Sequence, residues 1–263
     1  MRILIISGSR ADFGMLTPVA EALGEKIYKC WNFGFAQAFT DTGYRLDQDH
    51  PELVMVLGDR YEILASAIAA HLKRIPITHI AGGDVTEGSY DDAMRDLISR
   101  IASIHFTTSP SSTARLISMG CRNVYDVGST GIDYIMHGDW KRARPIAEPY
   151  VVVSYQPETI DDTVNLEAVR EAVAGRRAVW ISPNPDRGSE RISQGVNYSH
   201  AEFLNLLHHC EEFIGNSSAM LYEAPFMDIK TRMIGKRQRG RVIPWGDGKA
   251  SERIVNILKY VTL

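Results

Sequence analysis

The feature that most constrains the fold is a regular alternation of short apolar runs with longer amphipathic segments. The runs, rich in β-branched residues, are Ile3–Ile6, Leu53–Leu57, Ile77–Ile80, Ile104–Thr107, Val124–Val127, Val151–Ser154, Ala178–Ile181, Phe213–Ile214 and Arg232–Ile234. The helix-like segments are Gly14–Leu23, Tyr61–Leu72, Asp91–Ile101, Ser111–Met119, Leu166–Ala174, His200–His208 and Ala219–Glu223. This alternation predicts parallel strands joined by crossover helices. Because the runs are continuously apolar, we expect α/β sheets covered by helices on both faces.

A change in composition divides the chain. The stretch His137–Pro149 is charged and contains proline, and an apolar run follows it, so it predicts an inter-domain linker. We therefore expect one parallel sheet in residues 1–140 and a second in residues 141–248. The last segment, Ala250–Val261, follows a glycine-containing turn and has the pattern of an amphipathic helix.

Charge and hydropathy argue against nucleic acid and membranes as partners. The net charge is −3, so any anion site has to be local. The basic run Lys236–Arg241 lacks interleaved aromatic residues, and a loop that reaches phosphate explains it better. No apolar run approaches the ~18 residues that span a bilayer. The N-terminus has no signal-peptide pattern, so we expect a soluble, cytoplasmic protein.

The spacing of cysteine and histidine indicates no metal site. The three cysteines are far apart along the chain, which is typical of buried free thiols in a reducing compartment. His200, His208 and His209 do not lie at ligand spacing from carboxylates, and we expect them to be solvated on a helix. We predict no metal and no cofactor.

Polar residues follow the first two apolar runs, and ligands of parallel sheets bind at the carboxyl ends of strands. In GSRADFG, Arg10 stands at a glycine-bounded turn into a helix, where it is either an anion ligand or a surface side chain. Asp59 directly follows Leu53–Leu57 and Gly58. It is either a general acid or base or the N-cap of the helix that begins near Tyr61.

The passage His79–Arg95 combines three glycines with acidic residues and an arginine. Glycine-rich acidic loops after a strand are more often functional than structural. Asp91 would begin the next helix, and Arg95 would lie one turn further on the same face. The alternative is that Asp91 is a cap and that Asp92 and Arg95 form a helix ion pair.

Two loops of the second half also display polar side chains. The proline-rich loop Pro183–Ser189 displays Asn184. After Phe213–Ile214, Ser217 and Ser218 open a helix and would offer hydroxyl and backbone N–H groups to a diphosphate. Glu223, five residues after Ser218, would accept from sugar hydroxyls. The alternative is that Ser217, or the asparagine before it, is a plain N-cap.

Six motifs in this order carry a family resemblance: GSRADFG, VLGDRYEILA, HIAGGDVTEGSYDDAMR, FIGNSSAMLYE, GKRQRGR and WGDGKASERIVNILKYV. The chain resembles the UDP-N-acetylglucosamine 2-epimerases, and within them the hydrolysing branch that forms N-acetylmannosamine for sialic-acid-type sugars, in a shortened form. The resemblance implies two Rossmann-like domains in the glycosyltransferase-B architecture, with the active site in the cleft between them. It also implies that residues 249–263 form a helix crossing back to the first domain, and that the protein is a homodimer or higher homo-oligomer.

The resemblance also implies roles for individual residues. Arg10 matches a contact to the substrate diphosphate. Asp59 and Asp91 match acid/base carboxylates. Ser217 and Ser218 match the serines that bind the diphosphate.

Further matched positions concern the nucleotide and the helix after the acidic loop. Glu223 matches the acid that binds ribose, Arg95 matches an arginine of the same helix, and Arg237 lies in the basic motif assigned to the nucleotide. In the family reaction a base removes the proton on carbon 2 while UDP leaves carbon 1, which forms a glycal. Water then adds with inversion at carbon 2, and cations and helix N-termini stabilise the diphosphate without a metal.

Two departures from the family pattern affect the expected chemistry. Ala81 stands where many relatives carry a catalytic glutamate, and our hypothesis is that Glu87 supplies that carboxylate. Gln156 replaces a histidine, and an amide carries no proton at pH 7. The expected function is a hydrolysing 2-epimerase acting on a UDP- or GDP-linked N-acetylhexosamine. A non-catalytic nucleotide-sugar-binding protein and a glycosyltransferase of the same architecture remain the alternatives.

Overall fold

The computed structural model describes residues 1–31, 33–158, 160, 164–184, 188–192 and 194–261. The chain divides into two compact units. The first comprises Met1–Val85, Asp91–His137 and Pro244–Leu263, and the second comprises Thr86–Tyr90 and Gly138–Ile243. The short segment Thr86–Tyr90 therefore belongs with the second half of the chain.

Strands and helices alternate through both units. The strands are β1 (Ile3–Ser7), β2 (Ile27–Lys29), β3 (Leu53–Leu57), β4 (Ile77–Ile80), β5 (Ile104–Thr107), β6 (Val124–Asp126), β7 (Val151–Ser154), β8 (Ala178–Trp180), β9 (Phe213–Gly215) and β10 (Thr231–Met233). The helices are α1 (Arg10–Leu23), α2 (Phe35–Asp49), α3 (Tyr61–Leu72), α4 (Asp92–Ile101), α5 (Pro110–Ser118), α6 (Thr130–His137), α7 (Leu166–Ala172), α8 (His200–His209), α9 (Ala219–Tyr222) and α10 (Ala250–Leu258). Short 3₁₀ turns lie at Ser189–Arg191 and Ala224–Met227.

The first unit is a six-stranded parallel sheet in the order β2-β1-β3-β4-β5-β6. Successive residues of a strand point to opposite faces. Ile3 and Ile5 therefore pack against α1 and α10, whereas Leu4 and Ile6 pack against the side of α2, α3 and α4. Both faces are apolar and covered, which explains the continuous apolar runs of the sequence.

The C-terminal helix α10 belongs to this first unit and packs against α1 and α6. Its own N-cap residue, Lys249, makes no side-chain capping bond. Instead the buried carboxylate of Asp133 in α6 accepts from the backbone N–H groups of Ala250, at 3.1 Å, and Ser251, at 2.6 Å. An acidic side chain from another helix thus satisfies the free donors at this helix start.

The second unit contains a four-stranded parallel sheet in the order β10-β9-β7-β8. Val152 and Phe213 pack on one face with residues of α8 and α9. Val151, Val153 and Ile214 pack on the other face with residues of α7. Each unit therefore has its own apolar core on both faces of a parallel sheet.

The predicted α/β class with parallel sheets is confirmed, and the C-terminal helix lies where the resemblance implied. Three elements have no counterpart in the sequence analysis: β2, α2 and α6. Strand β2 has only three residues and none is fully buried. Helix α2 buries only Ala38, Thr42 and Leu46, so its apolar stripe is too thin to be recognised. No helix in the described ranges is long and apolar enough to cross a bilayer.

Candidate functional site

In each sheet the chain places the second strand on one side of the first and the third strand on its other side. The strand order therefore reverses between β1 and β3 in the first unit, and between β7 and β9 in the second unit. Ligands of open α/β sheets bind at such topological switch points, beyond the carboxyl ends of the strands. The segments that end these strands are Gly8–Arg10 and Gly58–Arg60 in one unit, and Gln156 and Asn216–Ser218 in the other.

Arg10 is the first residue of α1 and follows the N-cap Ser9, whose side chain accepts from the Asp12 backbone N–H at 3.1 Å. The Arg10 guanidinium is half-buried, and burial lowers its pKa, although an arginine remains charged in proteins. It makes no hydrogen bond or ion pair with any residue that the structure describes. An uncompensated cation at this strand end is suited to an anionic ligand.

An acidic cluster that the sequence analysis did not single out lies beside this turn. Asp12 is 8% exposed, and its Oδ2 has no hydrogen-bond partner among the described residues. Burial raises the pKa of Asp12 to about 6, although the nearby charge of Arg60 opposes the shift. Arg60 in turn donates twice to the fully buried carboxylate of Glu62, at 3.2 and 3.1 Å. Asp12 follows β1 and Glu62 follows the adjacent strand β3. This placement was the sequence pattern from which the cluster could have been predicted.

The carboxylate of Asp59 is paired with the guanidinium of Arg95, which is 3% exposed. Arg95 also donates to the backbone oxygen of Asp84 at 2.6 Å and to Asp92 Oδ1 at 2.8 Å. The alternative of Asp59 as a helix cap is wrong, because α3 has Arg60 at its N-cap position and no side-chain capping bond. Asp59 is thus held by a cation from another helix.

Asp91 occupies the N-cap position of α4 and is half-buried, but its side chain makes no capping hydrogen bond. The alternative that treated Asp91 as a plain cap is therefore wrong. The ion pair between Asp92 and Arg95, at 2.8 Å and one turn apart, is present as that alternative expected. Through Arg95, the start of α4 is connected to Asp59.

The residues that follow β4 hold this region together. Ala81 has φ = 61°, the left-handed region that non-glycine residues adopt at an energetic cost. Asp84 is buried, and its Oδ1 accepts from Thr108 at 2.8 Å and from Ser112 at 2.6 Å. Backbone strain and buried polar contacts of this kind are concentrated at functional sites.

In the second unit, Gln156 and Asn216 join the ends of β7 and β9. The fully buried Asn216 side chain accepts from the Gln156 backbone N–H at 2.7 Å and donates to the Gln156 backbone oxygen at 2.8 Å. Asn216 is therefore not a plain N-cap. The side-chain oxygen of Gln156 accepts from the backbone N–H of Asn184 at 2.8 Å. Three strand-end loops of this unit are thus connected through two amide side chains, those of Asn216 and Gln156.

The two serines after β9 stand before a helix of only four residues. Ser217 Oγ accepts from the Ala219 N–H at 3.3 Å, so the alternative of Ser217 as a local cap has support. Ser218 occupies the N-cap position without a capping bond, and its half-exposed hydroxyl contacts no donor or acceptor in the described part of the chain. Because one turn has a small dipole, any anion here would depend on the hydroxyls and loop N–H groups.

Glu223 is the C-cap residue directly after α9, and its side chain is 15% exposed. Its Oε1 lies 3.6 Å from His200 Nε2, and its buried Oε2 has no hydrogen-bond partner among the described residues. The prediction that His200 is solvated is wrong, since that side chain is only 9% exposed. His200 is the first residue of α8 and lies one turn before the buried Leu204, which turns it toward the core.

Glu87 lies within Thr86–Tyr90, and its side chain is 3.5 Å from Arg239. It lines a cavity of about 380 Å³ in the second unit, together with Gly88, Tyr155, Glu158, Ile160, Asn165, Gly235, Lys236 and Arg239. This volume is in the range of small-molecule sites. The predicted nucleotide ligand Arg237 donates to the Pro157 backbone oxygen at 2.7 Å. The role of Glu87 as a replacement carboxylate stays a prediction.

Within the described ranges, no three His, Cys, Asp or Glu residues form a group that could hold a metal ion. The residues of the loop 185–187, next to the predicted ligand Asn184, lie outside the described residues. Two cationic side chains lie close to strand ends: Arg10 follows β1, and Lys236 follows β10.

The chain is similar in sequence to known proteins of one family. A family model described as UDP-N-acetylglucosamine 2-epimerase matches residues 35–243. Polysialic acid biosynthesis protein P7 of Escherichia coli is 32% identical over 73% of this chain and 56% of that protein. GDP/UDP-N,N'-diacetylbacillosamine 2-epimerase (hydrolyzing) of Campylobacter jejuni is 25% identical over 86% of this chain and 66% of that protein. The chain thus spans between half and two thirds of the length of these two relatives.

Solved structures share the fold over nearly all of the chain. UDP-GlcNAc 2-epimerase of Methanocaldococcus jannaschii, in complex with UDP-GlcNAc and UDP, has a TM-score of 0.78 at 18% identity and covers 99% of this chain and 100% of that chain. The enzyme of Neisseria meningitidis bound to UDP-GlcNAc has a TM-score of 0.76 at 16% identity, with coverage of 99% and 100%. At these identities the likeness concerns the fold, which is the glycosyltransferase-B type expected from the motifs.

Proposed function

Since the chain belongs to the UDP-N-acetylglucosamine 2-epimerase family, we propose that it is a hydrolysing 2-epimerase of a nucleotide-linked N-acetylated sugar. With UDP-N-acetylglucosamine and water, the products would be N-acetylmannosamine and UDP. The observation that carries this proposal is the pairing of Asp59 with the buried Arg95 at a topological switch point. The Campylobacter jejuni relative and a Legionella pneumophila relative, 26% identical over 93% of this chain, are both named as hydrolysing 2-epimerases, which supports the subtype.

The reaction requires one base, one leaving group and one proton donor. A base removes the proton on carbon 2, and the bond from carbon 1 to the diphosphate oxygen breaks with its electron pair. The resulting glycal adds water, with the hydroxyl to carbon 1 and a proton to the opposite face of carbon 2. We assign the proton transfers to Asp59, which follows β3, and to Asp91, which precedes α4. Both positions suit acid/base groups.

The leaving diphosphate needs cations and donors rather than a base. In the first unit, Arg10 offers a guanidinium without a partner among the described side chains. In the second unit, the hydroxyls of Ser217 and Ser218 stand at the end of β9. We assign these groups to the diphosphate, Glu223 to the ribose hydroxyls, and Arg237 with Asn184 to the rest of the nucleotide. Donors placed where negative charge develops contribute directly to the rate.

The relatives and the chemistry together support the proposed substrate class. Both UDP- and GDP-linked sugars are named among the relatives, which act on N-acetylated hexosamines. The proposal therefore includes a diacetylated UDP- or GDP-sugar as the physiological substrate. A homodimer, a cytoplasmic location and a place in sialic-acid-type sugar synthesis are parts of the same proposal.

The deciding experiment is incubation with UDP-N-acetylglucosamine, and separately with UDP- and GDP-linked N,N'-diacetylbacillosamine, in deuterium oxide. Free sugar carrying deuterium at carbon 2, together with free nucleoside diphosphate, is the expected result. A nucleotide-linked epimer would show the non-hydrolysing subtype instead. Asp59→Asn should lower kcat by about 10²–10⁴-fold. Asp139→Asn, at a side chain 96% exposed, is the control and should leave kcat unchanged.

A second candidate function, nucleotide-sugar binding without turnover, is favoured by the environment of Gln156. That side chain is 7% exposed and accepts from the Asn184 N–H at 2.8 Å, so it is a structural connector that carries no proton. Calorimetry with UDP that shows binding, combined with unchanged sugar nucleotides after long incubation, would favour this function over the enzyme.

A further inference from the structure

A fully buried histidine lies directly beneath the turn that carries Asp59. His79, in β4, has an exposed fraction of 0%. Its Nε2 is 2.8 Å from the backbone oxygen of Gly58, and its Nδ1 is 2.9 Å from Ser99 Oγ. A carbonyl oxygen only accepts, so Nε2 carries the proton and donates to Gly58. Nδ1 then accepts from the Ser99 hydroxyl.

The ring acts as a neutral connector rather than as a charge. Burial lowers the pKa of His79 to about 3, so the ring is uncharged at neutral pH. Both ring nitrogens are used in hydrogen bonds to the protein. His79 therefore has no nitrogen left for proton exchange with a ligand, and its contribution has to be geometric.

The turn at Gly58 is restrained from two sides. Gly58 has φ = 82°, which favours glycine, and its N–H donates to the backbone oxygen of Ile80 at 3.0 Å. Its carbonyl accepts from His79. The next residue is Asp59, so a change in the Gly58 carbonyl direction would move the Asp59 side chain.

Two polar connections join this turn to helix α4. The first is the ion pair between Asp59 and Arg95, and the second runs from Gly58 through His79 to Ser99. Arg95 and Ser99 are four residues apart and lie on the same face of α4. The two connections are therefore adjacent, and together they fix the turn against the helix.

The backbone at Gly82 packs closely against the histidine and its serine partner. A Cβ at Gly82 would lie 2.9 Å from both His79 Nδ1 and Ser99 Oγ. Such contacts are too short for real side chains, so glycine is required at position 82. The backbone after β4 is therefore in close contact with both the ring and the hydroxyl.

We propose that His79 is a positioning residue for the reaction. With Ser99 it fixes the Gly58 carbonyl and thereby holds the Asp59 carboxylate against Arg95. The inference rests on the proposed function, because it concerns the geometry of a group assigned to acid/base catalysis. It adds a residue pair, His79 and Ser99, that contacts no substrate.

The test compares two substitutions of His79 with a substitution of a neighbouring buried histidine. His79→Leu removes both hydrogen bonds, and His79→Gln keeps an N–H that reaches the Gly58 oxygen. The control is His105→Leu. His105 pairs with His79 in the sheet register, is 1% exposed, and its Nδ1 has no hydrogen-bond partner within the described ranges.

We expect His79→Leu to lower kcat by about 10- to 100-fold with KM and UDP affinity unchanged, as small misplacements of a reacting group do. His79→Gln should recover most of kcat, and His105→Leu should retain it at an equal loss of Tm. Equal losses of kcat in His79→Leu and His105→Leu would overturn the proposal, as would no recovery in His79→Gln. Should His79→Leu not fold, Ser99→Ala replaces it, with the same loss of kcat expected.

A separate measurement distinguishes failure of this inference from failure of the proposed function. If the wild-type protein turns over no sugar nucleotide, the proposed function fails, and the inference is tested by crystal structures of His79→Leu and His105→Leu. Displacement of Asp59 from Arg95 in the first variant only would support the positioning role. An unmoved Asp59 in His79→Leu would overturn it.

Discussion

Asp59 is held by Arg95, a residue 36 positions further along the chain. The guanidinium is 3% exposed, whereas the Asp59 carboxylate is 23% exposed. The cation is therefore buried by the protein while the acid keeps access to a ligand. The same guanidinium contacts Asp92 and the backbone of Asp84, so it organises the residues that follow both β3 and β4.

Arg95→Ala should destabilise the protein as well as inactivate it. Removing the buried cation deprives the carboxylates of Asp59 and Asp92 of their ion pairs with Arg95, and breaking a buried pair costs about 3–5 kcal/mol. The stability of Arg95→Lys should lie between those of the wild type and Arg95→Ala, because an ammonium keeps the charge but not the planar fork. Urea unfolding measures the effect. Arg100→Ala, on the same helix with an exposed contact to the Met119 oxygen, is the control and should change stability by about 0.5 kcal/mol or less.

Asp12→Asn should change the pH dependence of stability. The pKa of Asp12 in the folded protein is about 6, above its ordinary value of 3.8. Between these values the folded state binds more protons than the unfolded state, so stability falls as pH rises from about 4 to 6. The neutral amide removes this loss, which amounts to at most about 3 kcal/mol at pH 7.

The measurement for Asp12 is the difference in unfolding free energy between variant and wild type from pH 4 to pH 7. The low pKa values of His79, about 3, and His105, about 4, act in the opposite direction but are present in both proteins, so they cancel in the difference. Asp49→Asn, at a side chain 42% exposed, is the surface control. A difference for Asp12→Asn that does not change with pH would contradict the prediction.

Asn216→Asp should weaken both the second unit and its nucleotide binding. The new carboxylate still accepts from the Gln156 N–H but cannot donate to the Gln156 oxygen, which leaves a buried acceptor unsatisfied. The expected loss is about 1–3 kcal/mol. Urea unfolding and UDP calorimetry measure it, and Asn256→Asp on the exposed side of α10 should leave both unchanged. Equal stability of the two variants would disprove the connector role.

Asp133→Ala should loosen the C-terminal helix. The carboxylate supplies both acceptors for the N–H groups of Ala250 and Ser251, and loss of a helix cap costs about 0.5–2 kcal/mol. Hydrogen exchange in α10 should increase before that of the sheet does. Asp139→Ala is the control, since its side chain is 96% exposed. Unchanged exchange in α10 would show that packing on α1 and α6 holds the helix without the cap.

Much of the fold and part of the site were predictable from local patterns. The strands β3, β4 and β5 coincide with continuous apolar runs, and Asp59 and Ser217 were singled out because they follow such runs. Helix α2 was missed because its buried stripe is thin. Asp12 was missed although its position after β1 was an available signal, and His79 was missed because a histidine inside a strand has no distinctive spacing.

The sequence by itself determined where strands and helices form and which polar residues stand at strand ends, because hydrophobic period and glycine placement act over a few residues. The tertiary structure decided which of those residues meet. Asp59 meets Arg95 across 36 residues, Gln156 meets Asn216 across 60, and Asp133 meets Ala250 across 117. These partners depend on strand order, and strand order follows from how whole helices cover both faces of a sheet rather than from any local pattern.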